Sequence, residues 1–218
     1  MGALAVEQKR TLAQIAEHSQ YVTTLADELS DMNQLEEGTL RLLQYPVSPA
    51  TLLKTITAPM TQLALRKSLS FTTNISLGTP EQVLGDEMRL QQVFTNLLTH
   101  AIQSSTSGNV SIRILSFGTE AWGIQVTDSN KGVTESELQS IFEPFHRQEG
   151  ISTEEELTTG LGLSLSKQLV ELMGGSITVE NRDEQGCLYI VTLPVKMNRK
   201  DAGSPETQPL PKVMPQKG

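Results

Sequence analysis

Four short patterns in this chain could do chemistry, and they come in a fixed order. Gly160-Leu161-Gly162-Leu163 opens an apolar helical repeat (Leu165, Leu169, Leu172, Met173) that stops at Gly174-Gly175. Glycines just before a helix let the backbone approach a ligand closely. The helix start adds unpaired N–H groups and a partial positive charge, so the pair suits a phosphate. Ahead of it lies the aromatic punctuation Phe142-Glu143-Pro144-Phe145. Further back come Asp128 at a strand end, with Gly132 four residues on, and a helix carrying Asn96, His100 and Gln103 along one face. A lone Gly-x-Gly is usually just a turn, but four patterns in order are specific.

The elements that must position these residues follow from periodicity. Residues 4–43 read as one long helix: Ile15, Val22 and Leu29 repeat every seven, with Leu4, Leu25 and Met32 on the companion positions, a seam suited to a helical bundle. Tyr45-Pro46 breaks that pattern, and Ser48-Pro49 restarts it with a cap residue and a proline in the first turn. A helix over 49–67 follows, kinked or divided at Pro59. Residues 70–76 alternate as a strand, Gly85-Asp86 caps a helix running to Ser105, and 109–117 with 122–128 form an antiparallel hairpin. A short helix over 135–141, a polar loop over 146–159, the helix over 161–173 and a closing hairpin of 176–181 with 187–195 complete the core. Residues 197–218 are polar and proline-rich without periodicity and read as a disordered linker. Helices on one face of a mixed, mainly antiparallel sheet, an α+β sandwich preceded by a long coiled-coil-like helix, is the expected architecture. The expected divisions are 1–45, 46–196 and 197–218.

With 218 residues the chain can bury a real core. A net charge of −8 with no basic run excludes a nucleic-acid binder. The single cysteine, Cys187, excludes an internal disulfide framework and a cysteine metal cluster, which suits a reducing cytoplasm. No apolar run approaches the ~20 residues needed to cross a bilayer.

The order Asn-containing helix, Asp128-x-x-x-Gly132, Phe142-Glu143-Pro144-Phe145 and Gly160-Leu161-Gly162-Leu163 resembles the catalytic ATP-binding domain of sensor histidine kinases of the hybrid type. Residues 12–44 resemble the second helix of that family's dimerisation and phosphotransfer hairpin, and Leu25 to Gly38, with its closing Glu36-Glu37-Gly38, resembles the end of that helix. The resemblance implies the histidine-kinase and gyrase-type ATPase superfold, with ATP and Mg²⁺ as cofactors. It implies a homodimer through the N-terminal helix, and a response regulator or receiver domain as partner. It also implies a cytoplasmic location, any membrane contact lying in other parts of a parent protein. The first hairpin helix with its phosphoacceptor histidine is expected to be missing from this chain. His18, in Ala16-Glu17-His18-Ser19-Gln20, lacks the acceptor setting and reads as a packed or half-exposed bundle residue.

By the same resemblance Asp128 holds the place that reads the adenine amino group. A carboxylate there suits that task, and it equally suits capping the turn at Ser129-Asn130. Asn130 stands where the family has the first glycine of this box, and Gly132 matches the second. The family's helix pattern Asn-Leu-x-x-Asn-Ala-x-Lys becomes Asn96-Leu97-Leu98-Thr99-His100-Ala101-Ile102-Gln103. Asn96 is kept, while the metal-binding asparagine is His100 and the phosphate-meeting lysine is Gln103. Mg²⁺ prefers oxygen, so imidazole is a poor replacement; a transition metal at His100 finds no second ligand at helical spacing. The loop matching the family's lid has Glu154-Glu155-Glu156 where relatives place cations, with Arg147 as one compensating charge and Thr158 in place of a glycine. A solvated acidic loop is the default for such a run. Gly160, Leu161, Gly162 and Leu163 remain intact as the phosphate-facing turn, and Phe142 and Phe145 read as core and lid-hinge anchors.

Three readings follow. One is a competent ATP-dependent protein-histidine kinase domain; the second is a degenerate copy, a pseudokinase or weak nucleotide binder; the third is another ATPase of the superfold. Changes at His100, Gln103, Asn130 and residues 154–156 fall on ligand positions while the scaffold pattern persists, which favours the second. No residue is assigned a catalytic role.

Overall fold

The computed structural model describes residues 6–146, 159–182 and 186–196. Arg147, Glu154-Glu155-Glu156, Thr158 and the expected linker at 197–218 therefore lie outside the described residues. Helix α1 (Val6–Glu36) leads the chain. It ends seven residues before the expected position, because Gly38 at φ 65° turns the chain back. The amides of Thr39 and Leu40 then bond the carbonyl of Gln34. The connection that follows is fastened by Asp86, whose Oδ2 accepts the amide of Leu43 at 3.0 Å.

Strand β1 (Tyr45–Val47), read from sequence only as a break, pairs antiparallel with β3 (Val83–Gly85), equally unexpected, in a two-stranded sheet. Between them lie α2 (Pro49–Arg66) and β2 (Ser70–Ile75). Ser48 caps α2 by accepting the amide of Thr51, and Pro59 is carried inside one continuous helix rather than dividing it. Helix α3 (Glu87–Ser104) starts at Asp86, whose Oδ1 accepts the amide of Arg89. The hairpin β4 (Asn109–Phe117) and β5 (Ala121–Thr127) forms as expected. Helix α4 (Glu135–Ser140) opens with a reciprocal cap between Thr134 and Glu137. Helix α5 (Gly162–Leu172) and the hairpin β6 (Ser176–Asn181) and β7 (Cys187–Pro194) close the fold.

The main sheet has the order β2-β4-β5-β7-β6, with β2 parallel to β4 and the other pairs antiparallel. This is the expected mixed, mainly antiparallel sheet. Alternation along the strands sends Ile112, Ile114, Ile124, Val126, Tyr189 and Val191 to one buried face. Helices α2, α3 and α5 pack there, with α3 in the middle. Phe94 of α3 meets Trp122 of β5 edge to face, centroids 6.3 Å apart. Helix α1 lies outside this layer, against α5. Among the described residues no helix is long and apolar enough to cross a membrane.

Candidate functional site

Asp128 follows β5 and is buried, and its two carboxylate oxygens have different fates. Oδ1 accepts the amide of Cys187 at 2.7 Å and that of Asn130 at 3.1 Å. Oδ2 is shielded from solvent and has no hydrogen-bond partner among the described residues. One oxygen therefore builds the turn, and the other is left without a partner among the described residues. Burial pushes the carboxyl above its ordinary value; the amides of Cys187 and Asn130 and the charge of Arg182 pull it back.

Gly186, not singled out by its type or spacing, is what makes room for this arrangement. It has φ 91°, and a Cβ there would lie 2.1 Å from the Asp128 carbonyl oxygen. Gly132 serves similarly. At φ 82° its missing Cβ leaves space for Asn181, whose Oδ1 accepts the Val133 amide at 2.9 Å while Nδ2 donates to the Val133 carbonyl at 2.7 Å. Asn130 keeps a negative φ, so no left-handed residue is needed there; its Oδ1 accepts the Lys131 amide. Burial, with the Asp128 charge adding, raises the Cys187 thiol to about 11, which keeps it inert.

On α3, Asn96 and His100 lie one turn apart. Asn96 Nδ2 donates to the Gly162 carbonyl at 3.0 Å, joining α3 to the glycine turn. His100 stands edge-on to Tyr189, centroids 5.7 Å apart, with Nε2 shielded and unpartnered among the described residues. Burial, then the neighbouring His146, lowers its pKa from 6.5 to about 4, so the ring is neutral at pH 7. Gln103 lies two turns along, and its carbonyl accepts Lys67 Nζ at 2.5 Å, tying α2 to the end of α3.

The glycine turn is built on close approaches. Gly160 at φ 72° accepts the amide of Phe145 at 2.9 Å, and a Cβ on it would meet the Phe145 backbone at 3.0 Å. Phe145 itself has φ 61° and is 64 % exposed. Of the two residues expected as core and lid-hinge anchors, Phe142 packs against the core, while the Phe145 ring is exposed and its backbone is bonded to Gly160. Leu161 and Leu163 are buried core residues, so only their backbone can face a ligand. No side chain caps α5. Glu28 of α1 and Thr159, neither singled out from sequence, complete this corner.

Tested on these atoms, adenine fits: a buried, unpartnered carboxylate oxygen is what an exocyclic amine would meet. For Mg²⁺, which prefers oxygen, the buried ring nitrogen of His100 beside His146 is a poor donor. Among the described residues no group of three or more His, Cys, Asp or Glu side chains could hold a metal.

A five-stranded mixed sheet under three helices, with a helix-borne asparagine meeting a glycine turn, defines an ATPase fold of the histidine kinase and gyrase class. Residues 85–197 match the family described as histidine kinase-, DNA gyrase B-, and HSP90-like ATPase, and the chain belongs to it; the relatives it resembles are sensor histidine kinases. Histidine kinase 5 of Arabidopsis thaliana is 30% identical over 220 residues, covering 89% of this chain and 24% of that protein. Sensor protein TorS of Escherichia coli (strain K12) is 28% identical, covering 96% of this chain and 22% of its own length. The chain thus spans about a quarter of these relatives. A crystal structure of full-length ShkA in complex with AMPPNP shares the fold with a TM-score of 0.75 at 24% identity, over 90% of this chain and 41% of that one.

Proposed function

We propose that this chain is the nucleotide-binding region of a sensor histidine kinase whose ATP site is degenerate, a pseudokinase or weak nucleotide binder in a phosphorelay. The observation that carries the nucleotide half of this reading is the free Oδ2 of Asp128, buried and pre-positioned by the amides of Cys187 and Asn130. The degenerate half rests on His100, a neutral imidazole where the family resemblance puts a metal-binding amide, and on neutral Gln103. Asp128 would hold the base, and the Gly160–Gly162 backbone would face the phosphates. Mg²⁺, poorly served here, contributes little to affinity.

Isothermal titration with ATP and with AMPPNP, each with and without Mg²⁺, tests this. Weak binding that is insensitive to Mg²⁺ supports the proposal. Tight Mg²⁺-dependent binding favours the alternative, a competent histidine kinase domain.

The row Ile15, Val22 and Leu29 on α1 is 58%, 62% and 43% exposed, while Leu25 and Met32 turn toward the catalytic layer. The exposed row is the face we assign to a second copy in the parent homodimer. A response regulator or receiver domain as partner, a cytoplasmic setting, and the divisions 1–45, 46–196 and 197–218 complete the proposal.

A further inference from the structure

Glu28 is the one buried residue of α1 among those described, at 7% exposed. Leu25, Met32 and Leu35 lie on the same helical face, half-buried toward the catalytic layer. The two oxygens of Glu28 go to different places. Oε2 accepts the Thr159 hydroxyl, and Thr159 Oγ1 in turn accepts the Leu161 amide at 3.2 Å. Oε1 lies 3.5 Å from where a Cβ on Gly162 would stand, beside the amide of Asn96. Backbone amide, hydroxyl and carboxylate thus form a relay at the uncapped start of α5. One turn further along α1, Asp31 meets Arg89 at 2.5 Å and accepts Gln92 Nε2 at 2.9 Å, both on α3. Two carboxylates on one helix therefore hold α1 across α3 and α5.

We propose that Glu28 is an internal competitor for the phosphate end of the glycine turn. The docked carboxylate and the terminal phosphates of a nucleotide are alternative occupants of the corner formed by Thr159, Gly160 and Gly162. This inference rests on the nucleotide reading above and supplies its regulation. Two anions in one poorly hydrated corner repel. Thr159 has a single hydroxyl proton, so it cannot donate to both. Burial already holds the Glu28 carboxyl above its ordinary value; the Thr159 bond offsets part of this and Asp31 adds to it. Because coupling is reciprocal, whatever frees α1 tightens nucleotide binding by the factor with which nucleotide frees α1.

The test uses the full chain as wild type, Glu28→Gln and Glu28→Lys, titrated calorimetrically with adenosine and with ATP. Glutamine keeps an acceptor for Thr159 and loses only the charge. ATP is expected to bind Glu28→Gln about tenfold more tightly than wild type, and Glu28→Lys more tightly still. Adenosine, which has no phosphate, should bind all three alike. In the wild type, ATP but not adenosine should speed amide hydrogen exchange along residues 21–36, a readout that needs no variant. Equal ATP affinity in all three proteins, with exchange unchanged, overturns the competition and leaves the nucleotide reading standing. If neither ligand binds any of the three, the nucleotide reading fails and the competition falls with it.

Discussion

Asp128 and Gly186 occupy their places only together: the carboxylate sits where a side chain on residue 186 would have to be, with Oδ1 at 2.8 Å and the backbone carbonyl at 2.1 Å from the missing Cβ. The left-handed φ of 91° adds a second penalty to any substitution. Gly186→Ala should cost about 3 kcal/mol or more, seen as a lower midpoint in urea. A variant as stable as wild type would show that the 182–186 turn can move off Asp128 at little expense.

Asp128→Asn separates the two oxygens by function. The turn bonds at Oδ1 can survive, while an amide nitrogen replaces the free acceptor. Adenosine affinity should fall by about 2 kcal/mol, because a donor would face a donor. Thermal stability should hold or rise, since burial disfavours the charge that the substitution removes. Unchanged adenosine affinity would place the base elsewhere.

His100 predicts an acid sensitivity of defined sign. Its folded pKa is lowered from 6.5 to about 4, so the unfolded chain binds the extra proton between those values. The contribution of the neutral ring is present above pH 6.5 and is lost as pH falls toward 4, about 3 kcal/mol in all. Tyr189 and His146 are the groups facing it, and neither supplies a compensating negative charge. Urea denaturation at a series of pH values should show this slope in the wild type and a flatter one in His100→Asn.

His100→Asn combined with Gln103→Lys restores an oxygen donor and a cation on the face that carries Asn96. If the degenerate reading is right, ATP should bind this double variant about tenfold more tightly, and only with Mg²⁺ present. Affinity unchanged by the pair would move the defect to Glu28 or to Asn130.

Much of this fold was legible because the signals are local. The caps at Ser48 and Asp86, the β4–β5 hairpin and the α5–β6–β7 run each declare themselves within a few residues. Strands β1 and β3 were not, since each is three residues long, β1 contains Pro46, and their pairing joins segments far apart in the chain. In the site, Asp128, Asn96 and the glycine turn could be named from type and order. Glu28 could not: a glutamate in an amphipathic helix reads as solvated, and only the packing of α1 on α5 turns it inward. Gly186 was hidden for a related reason, because a glycine between two strands is already explained by the turn it makes. The aromatic type of Phe145 could not say which of core or lid-hinge it anchors, because its exposed ring is set by a backbone bond to Gly160 that sequence does not display.

The pinning of Phe145 to Gly160 has a consequence for chain length. The amide of Phe145 donates to the carbonyl of Gly160, so these two residues are held together whatever number of residues separates them in sequence. Closing a longer loop on fixed ends costs only about 0.6 kcal/mol per doubling of its length. Adding or removing a few residues between Phe145 and Gly160 should therefore change the stability of the fold by only about 0.6 kcal/mol or less.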